Sequence, residues 1–306
     1  MSPVQALSGS GARARRRLRR PPTASVLLLA PAMLLCAVFI FLPATLTIIG
    51  SFFSFGATSP VWDYVGLANY ARAANDPVFW VAIRNNALIV GGSVILQLGV
   101  GTMLAAILDR GIPHGSTFFR TIIFAPMVVS SVAIGLIWLI VLDPNTGMLN
   151  VIVKGLGMTP PAMGWLGDPN ISIWIILIVG VWHYTGLIMV IVLAGLQAIP
   201  KELYEAAELD GARGIKSFWY ITLPSIRNVL SVAAIVTTII GLKSFDLIFV
   251  LTQGGPANAT QVLGTYLYSQ AFLFNEMGYA YAISVILLIV AVIFGSLQVA
   301  VTRKNG

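Results

Sequence analysis

Six long apolar stretches constrain this chain more than any other feature: about residues 25–53, 87–108, 121–142, 171–199, 229–251 and 279–301, and only the fifth contains any Lys, Arg, Asp or Glu. A helix crossing a bilayer needs about 20 apolar residues. Peptide groups find no water in hydrocarbon, so each stretch has to close its own hydrogen bonds as a helix, and runs this long and unbroken are not the alternating strands of a barrel. The predicted fold class is an all-α membrane protein with six transmembrane helices. Composition agrees, with 9% charged residues where soluble domains carry about 25%. One membrane domain is expected over residues 25–302, between a basic tail at 1–24 and a short tail at 303–306. Pro31, Pro43 and Pro126 are expected to kink or end helices.

The formal charge of +7 comes largely from Arg13, Arg15, Arg16, Arg17, Arg19 and Arg20, ahead of the first apolar run. Such a cluster is a topology signal and an anionic-lipid contact, so membrane lipid is an expected partner and nucleic acid is not. With a cytoplasmic amino terminus, fourteen basic residues fall inside and only Arg72, Arg84 and Lys154 outside. Both termini are then cytoplasmic. The first run continues past Cys36 to Phe53, too long for a cleaved signal, so it is read as a retained span. Cys36 is the single cysteine, which excludes an internal disulfide and a multi-cysteine metal site.

The predicted outer segments, residues 56–86, 143–170 and 252–278, are too short for folded domains. Trp62, Tyr64, Tyr70, Trp80 and Trp165 suit an aromatic belt at the headgroups. There is no G-x-x-x-x-G-K-[ST] phosphate loop, His114 and His183 form no ligand cluster, and no nucleophile has an adjacent base. Neither catalysis, a metal nor a cofactor is expected of this chain. An ion-coupled secondary transporter would show internal repeats and more buried carboxylates than Asp246 alone.

The largest inner segment, residues 200–228, opens on Pro200, continues with good helix formers from Lys201 to Leu209, and reaches Gly211 where a helix usually stops. Glu202, Glu205 and Glu208 form an acidic stripe, while Leu203, Ala206 and Ala207 fall on another side. A nine-residue helix is marginal alone. It needs a partner surface, and an acidic stripe suits a protein better than an anionic membrane.

Glu205, Ala206, Ala207, Asp210, Gly211 and Ala212, followed by Phe218, Ile221, Leu223, Pro224 and Ile226, resemble the E-A-A loop of permeases in bacterial ATP-binding-cassette importers. Phe245, Asp246, Leu251, Thr252, Gly254, Gly255 and Pro256 resemble its carbohydrate-uptake branch, in particular the first permease of maltose-type and glycerol-3-phosphate-type systems. Gly66, Leu67, Asn69, Tyr70, Arg120, Pro126, Ala194, Gly195, Leu196 and Pro200 extend the likeness over about residues 25–302. The resemblance implies a type I importer in which this chain pairs with a second, homologous permease above two ATPase subunits that bind ATP and Mg. An external solute-binding protein would deliver a sugar, or alternatively glycerol 3-phosphate or a glycerophosphodiester. It implies that residues 205–211 are the coupling helix, with Leu223 and Pro224 setting re-entry into the membrane.

Polar groups inside spans usually face a pathway or one another. Lys243 and Asp246, spaced i, i+3 and so on one face of an expected helix, either neutralise each other or lock two permeases together, or take part in cargo contact or a gate. Trp182, His183 and Tyr184 could stack on and hydrogen-bond to a sugar ring, or simply pack helices. Gln97, Ser130 and Ser131 are weaker candidates, because small polar groups in membrane helices more often bridge neighbours.

Overall fold

The computed structural model describes residues 23–58, 61–110 and 116–304; the arginine cluster at residues 13–20 and His114 lie outside them. The described residues open with α1 (Thr23–Cys36), a π-helical turn (Ala37–Phe41) and α2 (Leu42–Gly50). A two-residue antiparallel pairing of β1 (Phe53–Ser54) with β2 (Asp63–Tyr64) follows. Next come α3 (Ala68–Asn75), α4 (Pro77–Arg110), α5 (Ser116–Val128), α6 (Ser131–Val141), α7 (Met148–Gly155), α8 (Ser172–Gln197) and α9 (Lys201–Leu209). The remainder is α10 (Ile215–Ser217), a π turn (Phe218–Thr222), α11 (Leu223–Ser225), α12 (Arg227–Leu242), α13 (Asp246–Thr252), α14 (Leu263–Tyr268), a π turn (Ser269–Leu273) and α15 (Met277–Lys304).

Four helices among the described residues are long and apolar enough to cross a membrane, Val26–Gly50, Pro77–Asp109, Ser172–Gln197 and Met277–Gln298. Two bent pairs bring the total to as many as six: α5 with α6 at 98°, and Ile215–Ser225 with Arg227–Leu242 at 69°. The third apolar stretch, expected as a single helix, is therefore broken at residues 129–130; the fifth is interrupted at Lys243–Phe245, between α12 and α13, while the 69° bend at Ile226 precedes it. The first break comes shortly after Pro126, which α5 carries inside it. α5 ends two residues later, and Ser130 turns extended to cap α6, its Oγ accepting from the Ala133 amide at 3.3 Å. Prolines explain two of the wide turns. Residues 37–41 precede Pro43 and residues 218–222 precede Pro224, and a π turn accommodates the donor that proline lacks.

Val26 to Leu46 expose their side chains throughout, as an apolar helix facing lipid does. From Thr47 onward, the core is built on α4 and α8. Ile89 clusters with Ile173, Ile176 and Leu177, and Ala105 and Leu108 with Val192, Leu193 and Leu196, so the two helices run parallel. Close approach needs small residues where helices meet in lipid. A Cβ on Gly186 would stand 2.4 Å from the Ile123 carbonyl oxygen and 2.8 Å from Phe124 Cα, and one on Gly101 would stand 2.9 Å from Ile188 Cγ2.

At the end of the bundle that gathers residues 51–76 and 253–276, polar clamps take over. Asp76 caps α4, accepting from the amides of Val78 at 2.9 Å and Phe79 at 3.4 Å. Its other oxygen accepts from the hydroxyl of Tyr279 at 2.8 Å and from that of Tyr266. Arg72 lies 4.1 Å over the Tyr279 ring and pairs with Glu276 at 3.0 Å. Asn85 donates to the carbonyls of Ala259 and Gln261, both at 2.8 Å, and Asn86 accepts from the Leu263 amide at 2.7 Å. The segment expected as outer loop up to Asn86 thus contains α3 and the opening turns of α4. Three residues of the expected aromatic belt bond within this layer: Tyr70 with Ser51 at 2.6 Å, Trp80 with the Ala74 carbonyl at 2.8 Å, and Trp165 with Asn150 at 2.6 Å.

Burial pushes the Asp76 carboxyl up, but the Tyr266 and Tyr279 hydroxyls and the two amides outweigh it and hold the group below the usual carboxylate range. Burial and the bond to Asp76 push the Tyr266 hydroxyl up to about 12. A carboxyl lowered by folding stabilises fully above its unfolded pKa of about 3.9 and loses that contribution as pH falls through the folded value. Asp76→Asn should therefore lower the thermal midpoint of the detergent-solubilised chain at neutral pH, and the gap to wild type should shrink in titrations below about pH 4. Gly186→Leu, which drives a side chain into α5 backbone, should cost about 1–3 kcal/mol or more. Gly91→Ala, which meets nothing within 4 Å inside α4, should not lower the midpoint in the same assay, because alanine is the better helix former.

Candidate functional site

The segment after α8 forms the expected helix. Pro200 is extended (φ −58°, ψ 136°) and leads into α9, where Glu202 occupies the first turn and favours the positive end of the helix dipole. At the far end Gly211 has φ +77°. Its amide donates to the Glu208 carbonyl at 3.2 Å, and the Ala212 amide donates to the Ala207 carbonyl at 2.8 Å. This pair of bonds is a Schellman turn, which requires a left-handed residue at Gly211. A Cβ there meets nothing within 4 Å, so the requirement is conformational rather than steric.

α9 is held from one side only. Ala207 is buried, and the Tyr204 hydroxyl lies 3.1 Å from Thr222 Oγ1. Leu203 is 48% and Leu209 90% exposed, and Glu202, Glu205, Ala206, Glu208 and Asp210 are exposed as well. The helix therefore offers an acidic stripe and an uncovered apolar strip together. Leu223 is half-buried and Pro224 exposed, in the short α11 that turns the chain into α12.

The intramembrane candidates separate. Trp182 points away from the other two, as residues about 100° apart on a helix can, whereas the His183 and Tyr184 ring centroids lie 4.2 Å apart and both side chains reach the break between α5 and α6. Trp182 stays 45% exposed, edge-on to Trp138 at 5.6 Å. His183 is buried, and its Nε2 donates to the Val129 carbonyl at 3.2 Å, within the break between α5 and α6. Its Nδ1 has no partner among the described residues. The Tyr184 hydroxyl lies 2.9 Å from Ser131 Oγ, tying α8 to α6.

Tyr184 also borders a small cavity of about 20 Å³ with Ser93, Gln97, Gly241 and Ser244. Gln97 is buried, and its Oε1 has no hydrogen-bond partner among the described residues. Ser130 serves as a helix cap. Lys243 and Asp246 do not share a helix face, contrary to expectation: α12 ends at Leu242 with Lys243 as its cap, and Asp246 opens α13. Both are exposed and form no ion pair with each other. Each complements the helix end it occupies, a cation at a carboxyl terminus and an anion at an amino terminus.

Sequence reasoning passed over Ser93 and Ser244, which meet Tyr184 at the cavity, and the clamps at Asp76, Asn85 and Asn86. The pair of asparagines beside an uncharged run was the available signal for the latter. Serines every few residues in an apolar helix carry no comparable mark.

The sequence profile of binding-protein-dependent transport system inner membrane components matches residues 97–305. The probable ABC transporter permease protein YurN of Bacillus subtilis (strain 168) is 36% identical over 273 residues, covering 89% of this chain and 93% of that protein. The diacetylchitobiose uptake system permease protein NgcF of Streptomyces coelicolor is 34% identical over 280 residues, covering 88% of this chain and 79% of its own length. Among solved structures, a chain of a bacterial ABC transporter involved in the import of the acidic polysaccharide alginate superposes with a TM-score of 0.81 at 22% identity, over 92% of this chain and 96% of that one. That likeness establishes a shared fold.

His183→Leu leaves the Val129 carbonyl unpaired in the membrane interior. A loss of about 1–3 kcal/mol is expected in denaturant unfolding of the detergent-solubilised chain, with partial recovery in His183→Gln. Unchanged stability in both variants would show that the imidazole does not hold the break together.

Proposed function

Since this chain belongs to the binding-protein-dependent transport system inner membrane components, we propose that it is one permease subunit of an ATP-driven importer that takes up a saccharide. It would pair with a second, homologous permease, and two ATPase subunits would hold the ATP and Mg; this chain then supplies the pathway and the linkage but no nucleotide chemistry. A solute-binding protein outside the membrane would deliver cargo. Both termini would be cytoplasmic, in keeping with the fourteen basic residues on that side against three on the other. The loop carrying α9 then faces the ATPases, and the end with the Asp76 and Asn85 clamps faces the binding protein.

The observation that carries this reading is α9 itself. A helix of nine residues is too short to persist alone, yet it is closed by a Schellman turn and leaves Leu203, Ala206 and Leu209 uncovered beside Glu205 and Glu208. These are properties of an element that docks into another subunit, and a docked rigid helix transmits displacement. Glu205, Ala206, Ala207, Asp210 and Gly211 would make up the coupling surface, with Leu223 and Pro224 directing the chain back into the bundle.

A saccharide is supported by the relative that takes up diacetylchitobiose and by the fold shared with an alginate importer. It is also supported by the hydroxyl and amide groups of Ser93, Gln97, Tyr184 and Ser244 that converge inside the bundle. Their cavity of about 20 Å³ holds about one water, so a sugar ring would need a wall from the second permease and an opening motion. Lys243 and Asp246, exposed beside Ser244, would stand on that shared wall. Trp182, exposed on another side of α8, would meet lipid or the second permease.

Gly211→Val tests the coupling role. The strain of a β-branched residue at positive φ is about 1–2 kcal/mol, too little to unfold the bundle. We expect the variant to assemble with its partner subunits, retain ATPase activity, and lose substrate uptake in proteoliposomes. Normal uptake would refute the role of this turn.

A further inference from the structure

Beyond α9 the same loop changes chemistry. Arg213, Lys216 and Arg227 are exposed, and none of them pairs with a carboxylate among the described residues. Between them Ile215, Trp219 and Tyr220 are 75%, 58% and 78% exposed. The segment Ile215–Ser225 is bent by 69° from α12, so with α12 crossing the bilayer it runs close to the membrane plane. Beside it opens a groove of about 720 Å³, lined by Leu98, Thr102, Ile107, Phe218, Trp219 and Leu230 among others. The α4 wall consists of the last turns of a span that ends at Asp109. At 1.5 Å per residue, residues 98 to 107 carry the groove about 14 Å from the headgroup level into the hydrocarbon.

From this combination we propose that residues 213–227 and the end of α4 form a binding site for an anionic phospholipid. One acyl chain occupies the groove, and the headgroup phosphate lies on the positive surface that Lys216 supplies with Arg213 and Arg227 at either end of the segment. The cations select a negative headgroup, Trp219 and Tyr220 are the side chains that settle at a lipid–water boundary, and the groove walls are apolar and open sideways at the depth of the acyl chains. The acidic stripe of α9 would repel the same surface. One loop therefore separates two surroundings by sign, protein against α9 and lipid against the stretch that follows. The site requires only that the chain span the membrane, so it stands apart from the identity of the cargo and of the motor.

The test uses the full-length chain in phosphatidylcholine nanodiscs doped with brominated phosphatidylglycerol or brominated phosphatidylcholine at equal bromine content. Trp219 emission is isolated by difference from the Trp219→Phe variant. Brominated phosphatidylglycerol should quench Trp219 at a several-fold lower mole fraction than brominated phosphatidylcholine. Arg213→Gln, Lys216→Gln and Arg227→Gln, all at exposed positions, should each reduce that preference by a factor of up to about five. Equal quenching by the two lipids, or a preference that survives the triple variant, would overturn the proposal. So would loss of quenching in the complex assembled with its other subunits, because a protein would then cover this face.

Discussion

Hydrocarbon offers peptide groups nothing to bond to, and the architecture of this chain follows from where it obeys that restriction and where it departs from it. The long helices α4, α8 and α15 satisfy their own backbones. The departures, near Val129 and between Lys243 and Phe245, free several carbonyl and amide groups within the membrane layer, and side chains meet them by hydrogen bonds at the first break and by charge at the second. The imidazole of His183 bonds to the Val129 carbonyl, the hydroxyl of Ser130 caps α6, and Lys243 and Asp246 sit at the helix ends their charges favour. Polar residues that look like candidates for cargo when read as a string are, in part, the groups that make broken helices tolerable.

Around these breaks the bundle is fastened in two ways suited to two solvents. In the apolar layer, association rests on backbone proximity, and Gly101 and Gly186 allow α8 to approach α4 and α5 where any side chain would collide. At the end where the loops gather, water competes for every hydrogen bond, and the fastening passes to partly buried polar clamps. Asp76 receives two tyrosine hydroxyls and two amides, and Asn85 and Asn86 hold the 259–263 segment. These clamps tie α4 to α14 and α15, elements that are far apart in sequence.

Much of this was legible from residues alone. Six apolar runs, the helix after Pro200 and its termination at Gly211 are local properties, carried by composition and by a glycine whose conformational role is nearly unambiguous. The breaks in the third and fifth runs were not legible, because hydropathy reports what a segment can be immersed in and is silent on its direction. Pro126 hinted at the first break, but nothing comparable marks Lys243 to Phe245, which have no proline among them. The turning of Trp182 away from His183 and Tyr184, and the meeting of Tyr184 with Ser93 and Ser244, depend on which helices become neighbours. That is decided by packing between distant parts of the chain.

The elbow between α5 and α6 has a mechanical corollary. Bending an intact helix stretches or severs ladder hydrogen bonds, whereas at residues 129 and 130 that ladder is already interrupted and its loose ends are held by side chains able to rotate. Deformation imposed on the bundle will collect there, as a sheet of card folds along its crease, while α4 and α8 move as stiff struts. A helix broken once during folding need not be broken again each time the molecule changes shape.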